Sequence, residues 1–92
     1  MKETAQSILS SLADQGFRIT KLRKAIAGIF ASNGLPLSAD ELMVLLRSGE
    51  TAFNRATVYR EIAFLKEQGV IQDIQFLHER VKRYELASLD HH

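Results

Sequence analysis

One group of basic residues stands out because no acidic residue accompanies it. Between Gln15 and Ala39 the sequence has four cations and no anion: Arg18, Lys21, Arg23 and Lys24. Guanidinium and ammonium groups form charge-assisted hydrogen bonds with phosphate oxygens. The formal net charge of the chain is only +1, so the case for a polyanionic partner rests on where the charges lie.

A second pattern lies on one face of a predicted helix from 54 to 68. At 100° per residue its apolar side chains fall together, and the opposite face carries Ala56, Tyr59, Arg60, Ala63 and Glu67. A helix that enters a DNA major groove needs small residues near the bases and a few long side chains that reach base edges or phosphates. This face meets that need, although a solvated face with an incidental aromatic ring has the same pattern.

Basic residues also surround the predicted tip of a β-hairpin. Arg80, Lys82 and Arg83 outnumber the single acid there, Glu79. A positive tip could cross a phosphate strand of a nucleic acid. Charges at a sheet edge also deter strand-to-strand aggregation, so the pattern is compatible with both interpretations.

Candidate metal ligands are confined to the C-terminal end, at Glu85, His91 and His92. The chain has no cysteine, which excludes disulfides, thiolate catalysis and cysteine-ligated zinc. His91 and His92 could equally be the remnant of a purification tag. Because there is no glycine-rich phosphate loop and no other spaced set of histidines and carboxylates, we do not expect an enzyme.

Four amphipathic helices and a hairpin are predicted to position these residues. Thr20, Ser38 and Asn54 are typical N-cap residues, and a glutamate three residues after Ser38 completes a capping box. Gly16 and Gly69 are typical of helix C-terminal ends. After Gly69, β-branched and aromatic residues indicate strands. The predicted elements are helices 4–15, 20–34, 38–49 and 54–68, followed by a hairpin over 70–86.

This order predicts a single domain over residues 1–92, mainly α with a small β-hairpin: a winged helix-turn-helix with an additional N-terminal helix. The composition, 46% hydrophobic and 25% charged, is typical of a soluble globular protein. No apolar run approaches the roughly 20 residues of a membrane span. The residues after Met1 are not those of a secretory signal, so we expect a cytoplasmic protein without a membrane partner.

Part of the predicted fourth helix resembles the A-T-V-Y-R motif that opens the recognition helix of the ferric uptake regulator (Fur) family: Ala56-Thr57-Val58-Tyr59-Arg60. Other segments are similar to the family's motifs: Ile19-Thr20 with Arg23, Ser38-Ala39 with Glu41-Leu42, Gln68-Gly69-Val70-Ile71, and Tyr84-Glu85-Leu86. The resemblance covers about residues 8 to 92. It implies a sequence-specific double-stranded DNA-binding module of a metal-responsive transcriptional repressor.

The resemblance also implies partners. Family members are dimeric repressors of near-palindromic, A/T-rich operators, with a C-terminal dimerisation domain that we expect to be absent from this chain. We therefore expect a monomeric module whose parent protein is a homodimer. The alternative interpretation is a winged-helix protein-interaction module without DNA binding. The two differ in electrostatics, because DNA binding predicts that Arg18, Arg23, Arg60 and the hairpin cations share one surface.

Roles for single residues follow from the same resemblance. Helix 54–68 would occupy the major groove and hairpin 70–86 would form the wing, with Tyr59 packed on thymine methyl groups and Arg18 in the minor groove. Thr57 could instead satisfy a backbone group in the first helical turn. The predicted DNA contacts are Arg18, Thr20, Arg23, Arg55, Thr57, Tyr59, Arg60, Arg80 and Lys82.

Metal ligands are implied by resemblance as well. Glu85 and His92 match ligands of the family's sensing site, and His91 matches the start of its hinge cluster. The family often supplies a further histidine between the second and third helices, where this chain has Gly34-Leu35-Pro36-Leu37. We therefore expect no cofactor on this chain, and a divalent metal such as Fe, Zn or Mn in the parent protein.

Overall fold

The computed structural model describes residues 4–49 and 53–87. In these ranges the chain forms four helices and three short strands. The four predicted helices are confirmed, with ends within about two residues of those expected, because capping residues flank a helix rather than belong to it. The elements are α1 (Ala5–Asp14), α2 (Lys21–Ser32), β1 (Leu37–Ser38), α3 (Ala39–Arg47), α4 (Arg55–Glu67), β2 (Ile71–Ile74) and β3 (Arg83–Leu86).

Local hydrogen bonds explain where the helices begin and end. The Thr20 hydroxyl accepts a hydrogen bond from the Arg23 amide at 3.1 Å, and the Asn54 side chain accepts one from the Thr57 amide at 2.8 Å. Gly16 and Gly69 follow α1 and α4 with φ of 96° and 77°, a left-handed conformation that favours glycine. The predicted caps of α2 and α4 and the two closing glycines are therefore confirmed.

One apolar core unites all four helices and the sheet. The stripe predicted for α4 is buried: Val58, Ile62 and Leu65 are at most 2% exposed. This inward stripe holds α4 against the other elements and leaves its opposite face free. The remaining large core side chains are Ile8, Leu12, Leu22, Ile26, Phe30, Leu37, Leu42, Met43, Leu46, Ile71 and Tyr84.

The sheet contains one strand more than the predicted hairpin. Its order is β1-β3-β2, and both pairings are antiparallel, with Leu37 opposite Tyr84 and Ile71 opposite Leu86. β1 was not predicted, because a strand of two residues has no hydrophobic periodicity and forms only when β3 lies beside it. β2 also ends at Ile74 rather than continuing to Phe76, which lies 44% exposed in the connection to β3. We keep the name wing for residues 70–86.

A capping box begins α3. The Ser38 hydroxyl accepts a hydrogen bond from the Glu41 amide at 3.1 Å, and the Glu41 carboxylate accepts one from the Ser38 amide at 2.9 Å. Loss of a capping hydroxyl costs about 1 kcal/mol. We therefore expect Ser38→Ala to lower the midpoint of thermal unfolding by about 4 to 8 °C. Circular dichroism would measure it, with exposed Ser10→Ala in α1 as the control; equal midpoints for both variants would contradict the role of the cap.

Within the described ranges, no helix is both long enough and apolar enough to cross a membrane.

Candidate nucleic-acid interface

The face of α4 that points away from the core combines small, aromatic and cationic residues. Ala56, Arg60 and Ala63 are exposed, and Tyr59 is 44% exposed. Within residues 4–49 and 53–87, no carboxylate forms an ion pair with Arg60. The two alanines leave the backbone of α4 open to close approach, while Tyr59 and Arg60 project from it.

Arg55, at the first position of α4, links this face to α3. Its Nη1 lies 2.8 Å from the Asp40 carboxylate, and its guanidinium carbon lies 6.0 Å from the centre of the Tyr59 ring. The hydrogen bond with Asp40 raises the pKa of Arg55. Because both partners of this ion pair are exposed, the pair contributes little to stability, and a stronger anion could displace Asp40.

Arg23, predicted to contact DNA, instead contacts other residues of the domain. Its Nε donates to the Glu61 carboxylate at 2.7 Å, and its guanidinium carbon lies 3.8 Å from the centre of the Phe64 ring. Its Nη1 donates to the carbonyl of Arg18 at 2.8 Å. These contacts satisfy the guanidinium within the domain, and the DNA contact of Arg23 stays a prediction.

Glu61 is a buried charged residue that the sequence did not single out. It is 8% exposed and follows Val58 by three residues, which puts it on the inward side of α4. A carboxylate among Val58, Ile62 and Leu65 is costly to bury unless a cation accompanies it. That rule would have pointed to a buried ion pair, but it would not have identified Arg23 as the partner.

Arg18 lies in the connection between α1 and α2, and its side chain is exposed. In the part of the chain that the structure describes, no carboxylate pairs with its guanidinium. Its neighbour Phe17 packs edge-on against Phe64 of α4, with ring centres 4.9 Å apart. The connection therefore packs directly on α4 through Phe17, and its Arg18 carbonyl is bound by Arg23 of α2, which in turn binds Glu61 of α4.

Two predicted contacts, Thr20 and Thr57, have local hydrogen-bond partners. Thr20 caps α2, as described above. The Thr57 hydroxyl lies 3.5 Å from Nη2 of Arg60, at the limit of a hydrogen bond. Thr57 is half-buried, so it can orient Arg60 and still be reached from outside.

The wing adjoins α4 on the side of Tyr59. One cleft is lined by Asp40, Tyr59, Val81, Lys82 and other residues of α3 and the wing. Lys82 lies 3.4 Å from the Asp73 carboxylate. The Arg18 backbone is thus connected to α4 through Arg23 and Glu61, and Lys82 shares a cleft with Tyr59 of α4.

The wing cations differ in how far they are neutralised. Arg83 is held between two carboxylates, at 2.6 Å from Glu41 and 2.8 Å from Glu79. Arg80 is exposed, and no carboxylate of the described residues pairs with it. Arg80 is thus the wing arginine with a free charge, while Arg83 attaches the wing to α3.

Two carboxylates make the free energy of unfolding depend on pH. The backbone hydrogen bond from Ser38, aided by Arg83, lowers the pKa of Glu41, and the hydrogen bond from Lys66 lowers the pKa of Asp73. A carboxyl group whose pKa is lower in the folded state than in the unfolded state stabilises the fold at pH values above its unfolded-state pKa. This stabilisation is lost as the pH falls through the folded-state pKa.

We therefore expect the free energy of unfolding to decline as the pH falls below about 4.5, the ordinary pKa of Glu41. Urea unfolding at a series of pH values would measure the decline. The double variant Glu41→Gln/Asp73→Asn should be less stable at neutral pH and show a flatter curve. An equally steep curve for this variant would contradict the assignment.

Glu85 is the one predicted metal ligand within the described residues; His91 and His92 lie outside them. Its carboxylate accepts a hydrogen bond from Gln72 at 2.8 Å and lines a cleft with Asn33, Leu35 and Pro36. In residues 4–49 and 53–87, no three His, Cys, Asp or Glu residues come together as a metal ion requires. The described residues alone therefore do not make up a metal site.

Comparison with known proteins shows which family the sequence matches. The model of the Ferric uptake regulator family matches residues 14–92. The Ferric uptake regulation protein of Synechocystis sp. (strain ATCC 27184 / PCC 6803 / Kazusa) is 35% identical over 94 aligned positions, which cover all of this chain and 56% of that protein. The protein of the same description from Synechococcus elongatus is 33% identical over 95 positions, covering all of this chain and 64% of that protein. The chain thus spans less than two thirds of these relatives.

Solved structures of regulators have a similar fold. The ferric uptake regulator Fur of Helicobacter pylori, described with three functional metal binding sites, superposes with a TM-score of 0.80 at 28% identity, over 100% of this chain and 65% of that one. The peroxide sensor PerR of Streptococcus pyogenes superposes with a TM-score of 0.81 at 24% identity, over 91% of this chain and 57% of that one, which supports the fold alone. The fold is the predicted winged helix-turn-helix with an additional N-terminal helix. Because the family model matches residues 14–92, this chain belongs to the ferric uptake regulator family.

Proposed function

We propose that this chain is a sequence-specific double-stranded DNA-binding module of a Fur-family transcriptional repressor. The observation that carries the proposal is the exposed face of α4, where Tyr59 and Arg60 project between two alanines while the opposite face is buried. In the proposed complex α4 lies in the major groove and the wing lies beside it. Family membership supports this reading.

Each contact is proposed from its local chemistry. The Tyr59 ring packs on thymine methyl groups, and Arg60 contacts a phosphate or a base edge. Arg18, whose guanidinium is free among the described residues, enters an A/T-rich minor groove, where a narrow groove increases the negative potential. Arg55 exchanges Asp40 for a phosphate. Thr20 caps α2, and the Thr57 hydroxyl orients Arg60 beside these contacts.

Selection from a random double-stranded DNA library, followed by fluorescence anisotropy on the enriched sequence, tests the proposal. We expect enrichment of an A/T-rich motif and affinity that falls steeply with salt. Recovery of no motif, together with affinity equal to that for unselected DNA, would refute sequence-specific binding.

The wing offers a test of phosphate contacts. Arg80→Ala should weaken binding to all sequences alike and reduce the slope of log K against log salt by about 0.9, because one cation is lost from the interface. Arg47→Ala is the matched control: Arg47 is exposed and unpaired among the described residues, and it lies at the end of α3 remote from Asp40. Equal slopes for Arg80→Ala and the unmodified protein would remove the wing from the interface.

A protein-interaction module is the second candidate, favoured by the apolar wing tip. Leu77 is 93% exposed and Val81 is 51% exposed, and such side chains often mark a protein contact. This candidate predicts association that is insensitive to salt and abolished by Leu77→Ser. DNA affinity that survives Leu77→Ser but is lost in high salt would support the nucleic-acid proposal instead.

Further features of the proposal concern the whole repressor. We propose that it acts as a cytoplasmic homodimer on near-palindromic, A/T-rich operators and responds to a divalent metal such as Fe, Zn or Mn. Family membership supports these features. This chain would supply one half-site contact, and a second copy would bind the other half-site about 34 Å away.

A further inference from the structure

The contacts of Arg23 form a cluster that joins three parts of the domain. Arg23 comes from α2, Glu61 and Phe64 come from α4, and the carbonyl that Arg23 binds belongs to Arg18 in the α1–α2 connection. We call Arg23, Glu61 and Phe64 the clamp. The charged side chains are largely removed from solvent, at 16% exposure for Arg23 and 10% for Glu61.

The contacts of this cluster require an arginine, because they depend on the planar geometry of the guanidinium. Its planar fork offers donors at fixed angles, so one side chain can bind a carboxylate and a carbonyl while stacking on an aromatic ring. A lysine ammonium has no such fork and does not stack as a plane. Within the described residues, the Arg18 carbonyl has no hydrogen-bond donor other than Arg23. Arg23 therefore holds the Arg18 backbone, alongside the packing of Phe17 on Phe64, and Glu61 holds Arg23.

We propose that the clamp sets the position of Arg18 relative to α4, so that minor-groove and major-groove contacts are made at a fixed spacing. Arg23 is then a positioning residue, and its charge is neutralised by Glu61 rather than by a phosphate. This inference rests on the proposed DNA-binding function. It assigns Glu61, a residue that cannot attract DNA, a part in choosing the flanking sequence.

The proposal and a direct phosphate contact by Arg23 differ in the sign of one effect. If Arg23 bound a phosphate, Glu61→Gln would remove a nearby negative charge and leave affinity unchanged or higher on every sequence. If the clamp positions Arg18, Glu61→Gln should weaken binding to A/T-rich flanks selectively, because the charged partner that holds Arg23 is lost. Arg23→Lys should have the same selective effect although it retains the positive charge.

A double-mutant cycle measures whether Glu61 and Arg23 act on the preference for A/T-rich flanks through Arg18. The probe is the motif enriched from the random library, synthesised with A/T-rich or G/C-rich flanks around an unchanged centre. We expect Glu61→Gln and Arg23→Lys each to lower the ratio of affinities for the two flanks by about twofold to tenfold, with little effect on the preference for the centre. In an Arg18→Ala background the same changes should have no further effect on that ratio, because the side chain that they position is absent. Lys24→Gln, an exposed residue of the same helix turn without a described ion pair, is the control and should change neither ratio.

The outcomes separate the failure of the inference from failure of the proposed function. If the unmodified protein enriches no motif, the DNA-binding proposal itself fails. If it enriches one but Glu61→Gln keeps the flank ratio of the unmodified protein, or if the effects of Arg18→Ala and Glu61→Gln simply add, the clamp is overturned. An Arg18→Ala variant with an unchanged flank ratio also overturns it. Circular dichroism confirms that each variant is folded; should Glu61→Gln unfold, Arg23→Lys decides the matter alone.

Discussion

Tyr59→Ala is expected to lower discrimination between the preferred DNA sequence and random DNA by about 5- to 150-fold. The ring is the large side chain on the exposed face of α4, and loss of such a contact to a base edge costs about 1 to 3 kcal/mol of discrimination. Affinity for random DNA should change much less, since phosphate contacts supply that binding. Competition between labelled preferred DNA and unlabelled random DNA measures the ratio.

Tyr59→Phe is the matched control for this experiment. It keeps the ring that would pack on thymine methyl groups and removes only the hydroxyl, so discrimination should stay close to that of the unmodified protein. Equal losses in Tyr59→Ala and Tyr59→Phe would indicate a hydrogen bond from the hydroxyl instead of ring packing. Unchanged discrimination in Tyr59→Ala would mean that α4 does not read the sequence through this residue.

Leu42→Ala should produce the largest loss of stability among the changes considered. Leu42 in α3 is fully buried in the core, where truncation removes apolar contact and leaves a cavity at a cost of about 2 to 5 kcal/mol. A domain of this size has a total stability of only about 5 to 15 kcal/mol. The midpoint of thermal unfolding should therefore fall by more than about 10 °C.

Leu45→Ala provides a control of the same residue type in the same helix. Leu45 is 41% exposed, so its truncation should cost less than about 1 kcal/mol. Comparable losses for the two variants would contradict the burial that the structure assigns to α3. At temperatures where Leu42→Ala is still folded, its DNA discrimination should equal that of the unmodified protein, because the exposed face of α4 is unchanged.

The local structure of this protein could be predicted from its residues alone. Helix starts at Thr20, Ser38 and Asn54 and helix ends at Gly16 and Gly69 were predictable because capping groups and glycine act within a few residues. The buried stripe of α4 followed from helical periodicity, and with it the exposed position of Tyr59 and Arg60. The resemblance of 56–60 to a family motif pointed to the same face.

Pairings between residues remote in sequence could not be predicted and emerge only from the folded arrangement. Arg23 binds Glu61 across 38 positions of the chain, and Arg83 binds Glu41 across 42. The strand Leu37–Ser38 exists because β3 returns beside it. A local pattern shows that a cation is present but does not show whether a carboxylate will neutralise it, since that depends on how the chain closes its long loops. For this reason Arg18 and Arg23, five positions apart and alike in the sequence, differ in their surroundings. The Arg18 side chain is exposed and has no ion pair among the described residues, whereas Arg23 is paired with Glu61 inside the fold.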